Sequence, residues 1–206
     1  MSKISRRDFI YLSTTGALSM SLLPNQIFSM PPDNKNAIRL GGPIFREVFE
    51  DPAAWVQAHK DWGYSAAYCP VESNAPSELV RSFETAAKRA NLIIAEVGAW
   101  SNPISPDEQQ KKEAFEHCCK QLELADRIGA SCCVNIAGSR NPEQWDGPDK
   151  NNLSVDTFDL IVEVTRKILD SVKPTRTYFT LETMPWIFPN SVESYINLYK
   201  AINRDR

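Results

Sequence analysis

The stretch Thr177 to Trp186, TYFTLETMPW, sets one carboxylate, Glu182, in apolar company just ahead of a Met-Pro-Trp turn. Its near-continuous apolar run reads as a strand buried on both faces, the pattern of a parallel sheet. A charge near the end of such a strand is costly unless a metal, a cation or a hydrogen-bond network compensates it. In parallel α/β folds that carboxyl end is also where ligands bind. Glu182 is therefore a candidate functional group; the competing reading is a strand-end glutamate that turns to solvent or pairs with a Lys or Arg.

Other residues suit the same end of the sheet. Counting by twos groups Glu96, Gly98 and Trp100 on one face of their strand, Cys133, Asn135 and Ala137 on another, and Thr180, Glu182 and Met184 on a third. Set side by side in a barrel, these strands bring Glu96, Asn135 and Glu182 to one mouth. Trp100, Trp145 and Trp186 fall at or just beyond strand ends. Hydrogen-bonding groups beside an aromatic wall suit a sugar or polyol, with Glu96, Trp100, Asn135 and Trp186 as substrate contacts. Packing within loops is the alternative for each tryptophan, and Asn135 equally suits capping a loop backbone. His59 and His117 sit in helical stretches, where a packed or exposed histidine is the simpler reading.

The elements that must position these groups repeat. Apolar strands read at 37–45, 64–71, 92–100, 130–138 and 177–186, and helices follow them at about 52–62, 77–90, 105–129, 155–172 and 191–203. The phrases DWGYSAAYCP, RANLIIAEVGAW and RIGASCCVNIAGS each run helix end, short link, buried strand, at spacings of roughly 30 to 40 residues, the length of one βα unit. Five such units demand a parallel sheet covered by helices, either doubly wound or a (β/α)8 barrel. Gly41-Gly42-Pro43 after the first strand is not a dinucleotide-binding glycine pattern, and its proline removes a backbone donor.

Composition narrows the partners. The 206 residues are 42% hydrophobic and 24% charged, enough for one domain with a real core. A net charge of −3 offers no basic field for a phosphate backbone, so no nucleic-acid partner is expected. The five cysteines include the neighbours Cys118-Cys119 and Cys132-Cys133, whose side chains diverge; they suit small buried hydrophobes rather than a metal clamp or a disulfide framework. Ser5-Arg6-Arg7-Asp8-Phe9-Ile10 and the mildly apolar stretch behind it read as a twin-arginine signal over 1–30, with a linker at 31–36 and the barrel portion at 37–206. Export to the periplasm or cell envelope is expected. No membrane span follows the signal, and a homo-oligomer is compatible with the sequence.

Three segments in order, IAEVGAWSNP (94–103), VNIAGSRNPEQW (134–145) and LETMPW (181–186), resemble the sugar phosphate isomerase/epimerase family with its xylose-isomerase-like TIM barrel. The resemblance covers the first five of eight βα units, an incomplete barrel. It implies a divalent metal (Mn, Mg, Co or Zn) with Glu182 as first ligand and as catalytic acid/base; the family's later strands supply an Asp, a His and a second Glu that are not among these residues. The implied chemistry moves a proton or hydride beside the carbonyl of a sugar or sugar phosphate. By itself this portion is expected to be inactive. The alternatives are a non-catalytic or vestigial carbohydrate-binding protein and, against the charge and the two helical histidines, a metal phosphodiesterase resembling endonuclease IV.

Overall fold

Asp51 opens the first helix: its carboxylate accepts the amide hydrogens of Ala53 and Ala54, both at 3.1 Å, and a proline fills the first helical position. That helix, α1 (Pro52–Asp61), begins an alternation that continues as β1 (Ala66–Tyr68), α2 (Ser77–Arg89), β2 (Ile93–Gly98), α3 (Glu108–Ile128), β3 (Cys132–Asn135), α4 (Val155–Val172), β4 (Tyr178–Leu181) and α5 (Val192–Ile202). The computed structural model describes residues 38–44, 49 and 51–206. The expected signal segment and linker lie outside the described residues.

The helix ends follow the local chemistry. Asp107 caps α3 by accepting from the Gln110 amide at 2.8 Å, and Gly129 ends it in the left-handed region at φ 73°. Ser154 caps α4. Ser191 and Ser194 form a reciprocal capping box on α5. The exception is α2, where Pro76 holds the cap position and no side chain accepts the first amides.

The four strands are parallel and lie in the order β1-β2-β3-β4. The expected first strand, 37–45, is reduced to a bridge between Gly41 and Ala66 among the described residues. Gly41-Gly42-Pro43 accounts for this: two residues with no side chain to pack and one with no amide donor do not sustain a ladder. Sheet and helices share one core, in which Phe83, Leu122, Ile128, Ile161 and Ile168 of the helices pack against Ile94, Val97 and Cys133 of the sheet. Each large apolar side chain buried there contributes about 1.5–3 kcal/mol. This is part of a (β/α)8 barrel, with the helices outside and the lumen face of the sheet uncovered among the described residues.

Candidate active site

Register fixes which side chains share the lumen face. Glu96 aligns with Cys132 and Cys132 with Tyr178, while Gly98 aligns with Val134 and Val134 with Thr180. Aligned residues of parallel strands point the same way, so these six line one face. Glu182, two residues beyond Thr180, continues that face, and its amide donates to the Asn135 carbonyl at 2.8 Å. A bulge makes the arrangement possible. β1 pairs Ala67 with Ile94 but Tyr68 with Glu96, so β2 carries one extra residue at Ala95. The phase shift lets Ile94 and Val97 both bury towards the helices while Glu96 and Gly98 stay in the lumen.

Partial burial raises the Glu96 carboxyl above its ordinary range, and the charge of Glu182 pushes it the same way. Glu96 also lines a hollow of about 380 Å³ with Tyr68, Cys69, Gly98 and Trp100. Gly98 is required there: a Cβ would lie 2.4 Å from the Trp100 indole nitrogen, so only glycine lets the ring fold over the strand. Trp100 remains 46% exposed, leaving ring surface open beside a carboxyl group.

Asn135 does not join them. It is 0% exposed and points to the helix layer, where its side-chain oxygen accepts from the Ser101 amide at 3.0 Å and its NH2 donates to the Cys118 sulfur at 3.3 Å. Its register partner Leu181 shows why: odd positions of β3 and β4 face the helices, even positions the lumen. The expected convergence of three residues is therefore corrected to two, Glu96 and Glu182. Trp186 lies at the mouth, but its indole N–H donates to the Asp146 carbonyl at 2.9 Å and ties the turn after β4 to the loop after β3. His59 is buried in α1, with Nδ1 2.8 Å from the Trp55 carbonyl and its ring edge-on to Trp55.

A buried amide network escaped the sequence reading. The Asn102 oxygen accepts from the Ile104 and Ser139 amides, and its NH2 donates to the Ser139 carbonyl at 2.8 Å. The Asn152 oxygen accepts from the Arg140 amide at 2.7 Å, and the Ser139 hydroxyl donates to the Gly147 carbonyl at 2.6 Å. These bonds fasten the loops after β2 and β3 to one another beside the candidate site. The signal was the asparagines in Ser101-Asn102-Pro103 and Asn151-Asn152, because short amides that bond backbone groups are the common currency of ordered loops.

The donor set stops short of a metal site. No group of three or more His, Cys, Asp or Glu side chains is placed to hold an ion among the described residues. Hard divalent ions demand about six oxygen ligands, and catalytic zinc about three protein ligands. Glu96 and Glu182 alone do not fit that requirement.

Comparison with known proteins agrees with the geometry. The family model described as xylose isomerase-like TIM barrel matches residues 56–206. A candidate xylose isomerase from Rhodospirillum rubrum superposes with a TM-score of 0.60 at 12% identity, covering 81% of this chain and 62% of that one. D-psicose 3-epimerase from Clostridium cellulolyticum H10, solved with D-tagatose, gives 0.57 at 13%, covering 76% and 56%. A xylose isomerase-like TIM barrel protein from Mycobacterium smegmatis, solved in complex with magnesium, gives 0.52 at 14%, covering 77% and 56%. The chain thus spans about three-fifths of the length of these proteins. A search of curated proteins finds no match to the sequence.

Proposed function

Because the chain belongs to the xylose isomerase-like TIM barrel family, we propose that it forms the substrate-holding part of a sugar isomerase or epimerase, with Glu182 moving a proton beside a ketose carbonyl. The observation that carries this reading is the placement of Glu182 and Glu96 on one face of the sheet, with Glu96 lining the hollow beside Trp100. A carboxylate abstracts the hydrogen on the carbon next to a carbonyl and returns it to the same position. Glu96, whose proton is held more tightly than usual, is suited to bonding a sugar hydroxyl in either protonation state. Trp100 offers its ring to the apolar C–H face of the sugar. For the divalent ion expected from the resemblance, Glu182 is the ligand these residues would supply.

Inverting a carbon requires a base on each face, and one carboxylate serves one face. The chain is therefore expected to exchange hydrogen without net epimerisation. Incubation with D-fructose or D-tagatose in D2O, with and without Mn²⁺, followed by proton NMR, should show slow loss of the hydrogen beside the carbonyl. Glu182→Gln should abolish that loss. Exchange that persists in Glu182→Gln overturns the assignment. Binding of the ketose with no exchange favours a non-catalytic carbohydrate-binding protein.

We further propose export by the twin-arginine route, on the strength of Arg6-Arg7 ahead of Phe9-Ile10. Substituting both arginines by lysine keeps the charge and removes the guanidinium pair. Cell fractionation should then find the protein held in the cytoplasm; unchanged export would point to another kind of signal.

A further inference from the structure

We propose that the part of the site built by β1 to β4 takes an uncharged sugar and selects against the corresponding phosphate ester. This rests on the carbohydrate reading above and concerns what the substrate carries. The hollow beside Glu96 is lined by Tyr68, Cys69, Glu96, Gly98 and Trp100, with no cation among them. The loops that follow the four strands extend the imbalance. Their described residues include Glu72, Asp107, Glu143, Asp146, Asp149 and Glu182, against Arg140 and Lys150.

Arg140 is already engaged, donating from its guanidinium to the Ile104 carbonyl at 2.5 Å. Lys150 is exposed on the loop after β3.

Helix N-termini are the usual phosphate acceptors at this end of an α/β fold, because their first amides are free and the dipole favours an anion. Four of the five carry a capping side chain of their own: Asp51 accepts from the Ala53 and Ala54 amides of α1, and Asp107, Ser154 and Ser191 accept from the Gln110, Thr157 and Ser194 amides of α3, α4 and α5. The remaining helix, α2, follows Pro76, has no side-chain cap and carries Glu78 in its first turn. A phosphate dianion would therefore meet chiefly carboxylates, a repulsion that disfavours it by about tenfold or more. A neutral polyol needs only hydrogen-bonding groups and an aromatic face, both of which the hollow supplies.

The experiment compares D-fructose with D-fructose 6-phosphate on the full chain, titrated by intrinsic tryptophan fluorescence at low and at physiological ionic strength. Glu96→Gln is run beside it, with circular dichroism confirming the fold. Fructose should bind about tenfold or more tightly than its phosphate, and the gap should narrow both in Glu96→Gln and with added salt, which screens the repulsion. Equal or tighter binding of the phosphate overturns this inference and leaves the proton-transfer reading standing, since that is judged separately by deuterium exchange and Glu182→Gln. Failure of both sugars to bind overturns the inference and removes the hollow as a sugar site.

Discussion

Asn135 and Glu96 sit on neighbouring strands, both polar, both within the sheet, and the chain treats them in opposite ways. On the helix face Asn135 is sealed, with both ends of its amide engaged by Ser101 and Cys118. On the lumen face Glu96 keeps an unusual hold on its proton, and Trp100 is folded over Gly98 with open ring surface. Burial without partners is expensive, so the helix face must satisfy what it encloses. The difference is that the Asn135 amide is spent on holding the fold, whereas in the proposed function the Glu96 carboxyl is kept for a ligand.

That contrast breaks or sharpens under substitution. The largest effect should come from the helix side, where Phe83→Ala removes a fully buried ring and is expected to cost about 3–5 kcal/mol in urea unfolding. Sugar binding should persist while the variant remains folded. Next, Asn135→Ala leaves the Ser101 amide without its acceptor and should cost about 1–3 kcal/mol, again with little change in sugar affinity measured on folded protein. A loss of affinity larger than the loss of stability would mean that Asn135 faces the ligand after all.

A smaller effect is expected at the other end of the sheet. Asp126 of α3 holds the link into β4. Burial raises its carboxyl, but the backbone amides of Arg176 and Thr175, the Thr175 hydroxyl and the Thr177 amide outweigh burial and leave it below the ordinary range. A depressed folded value means that the unfolded chain takes up protons first. Its stabilisation is therefore complete above about pH 4 and is lost as pH falls through the lower folded value. Asp126→Asn should lower the thermal midpoint at neutral pH, and the difference from the parent should shrink as the solution is acidified.

The smallest effect, of opposite sign, belongs to Glu96. Its folded value is raised, so the folded state binds the proton more tightly and stability falls as pH climbs through the region just above the ordinary Glu range. Glu96→Gln should remove that slope and be slightly more stable than the parent at neutral pH, while weakening ketose binding. Thermal midpoints taken across the acid-to-neutral range would read both. A destabilised Gln variant would place Glu96 among the structural polar groups and erase the distinction between the faces.

Much of the scaffold was legible because its signals are local. Asp51-Pro52, Asp107, Gly129 and Ser191 end helices through their own chemistry, and four of the five apolar runs became strands in the expected order. The facing of Asn135 was not legible. A barrel strand is apolar on both sides, so alternation in Cys-Cys-Val-Asn tells two faces apart without saying which is outside. Nor does the sequence mark the bulge at Ala95, which resets the phase of β2 and joins Ile94 and Val97 in the core. The asparagines of the loop network are local marks, but the pairing of Asn102 with Ser139, 37 positions apart, is one that no local pattern reveals.

The most direct measurement is a three-way titration of D-fructose against the parent, Glu182→Gln and Asn135→Ala, each verified as folded by circular dichroism. If the lumen face is the sugar site, Glu182→Gln weakens binding several-fold while Asn135→Ala leaves the affinity close to that of the parent. The reverse order, with binding lost in Asn135→Ala and kept in Glu182→Gln, would contradict the assignment of function to the lumen face.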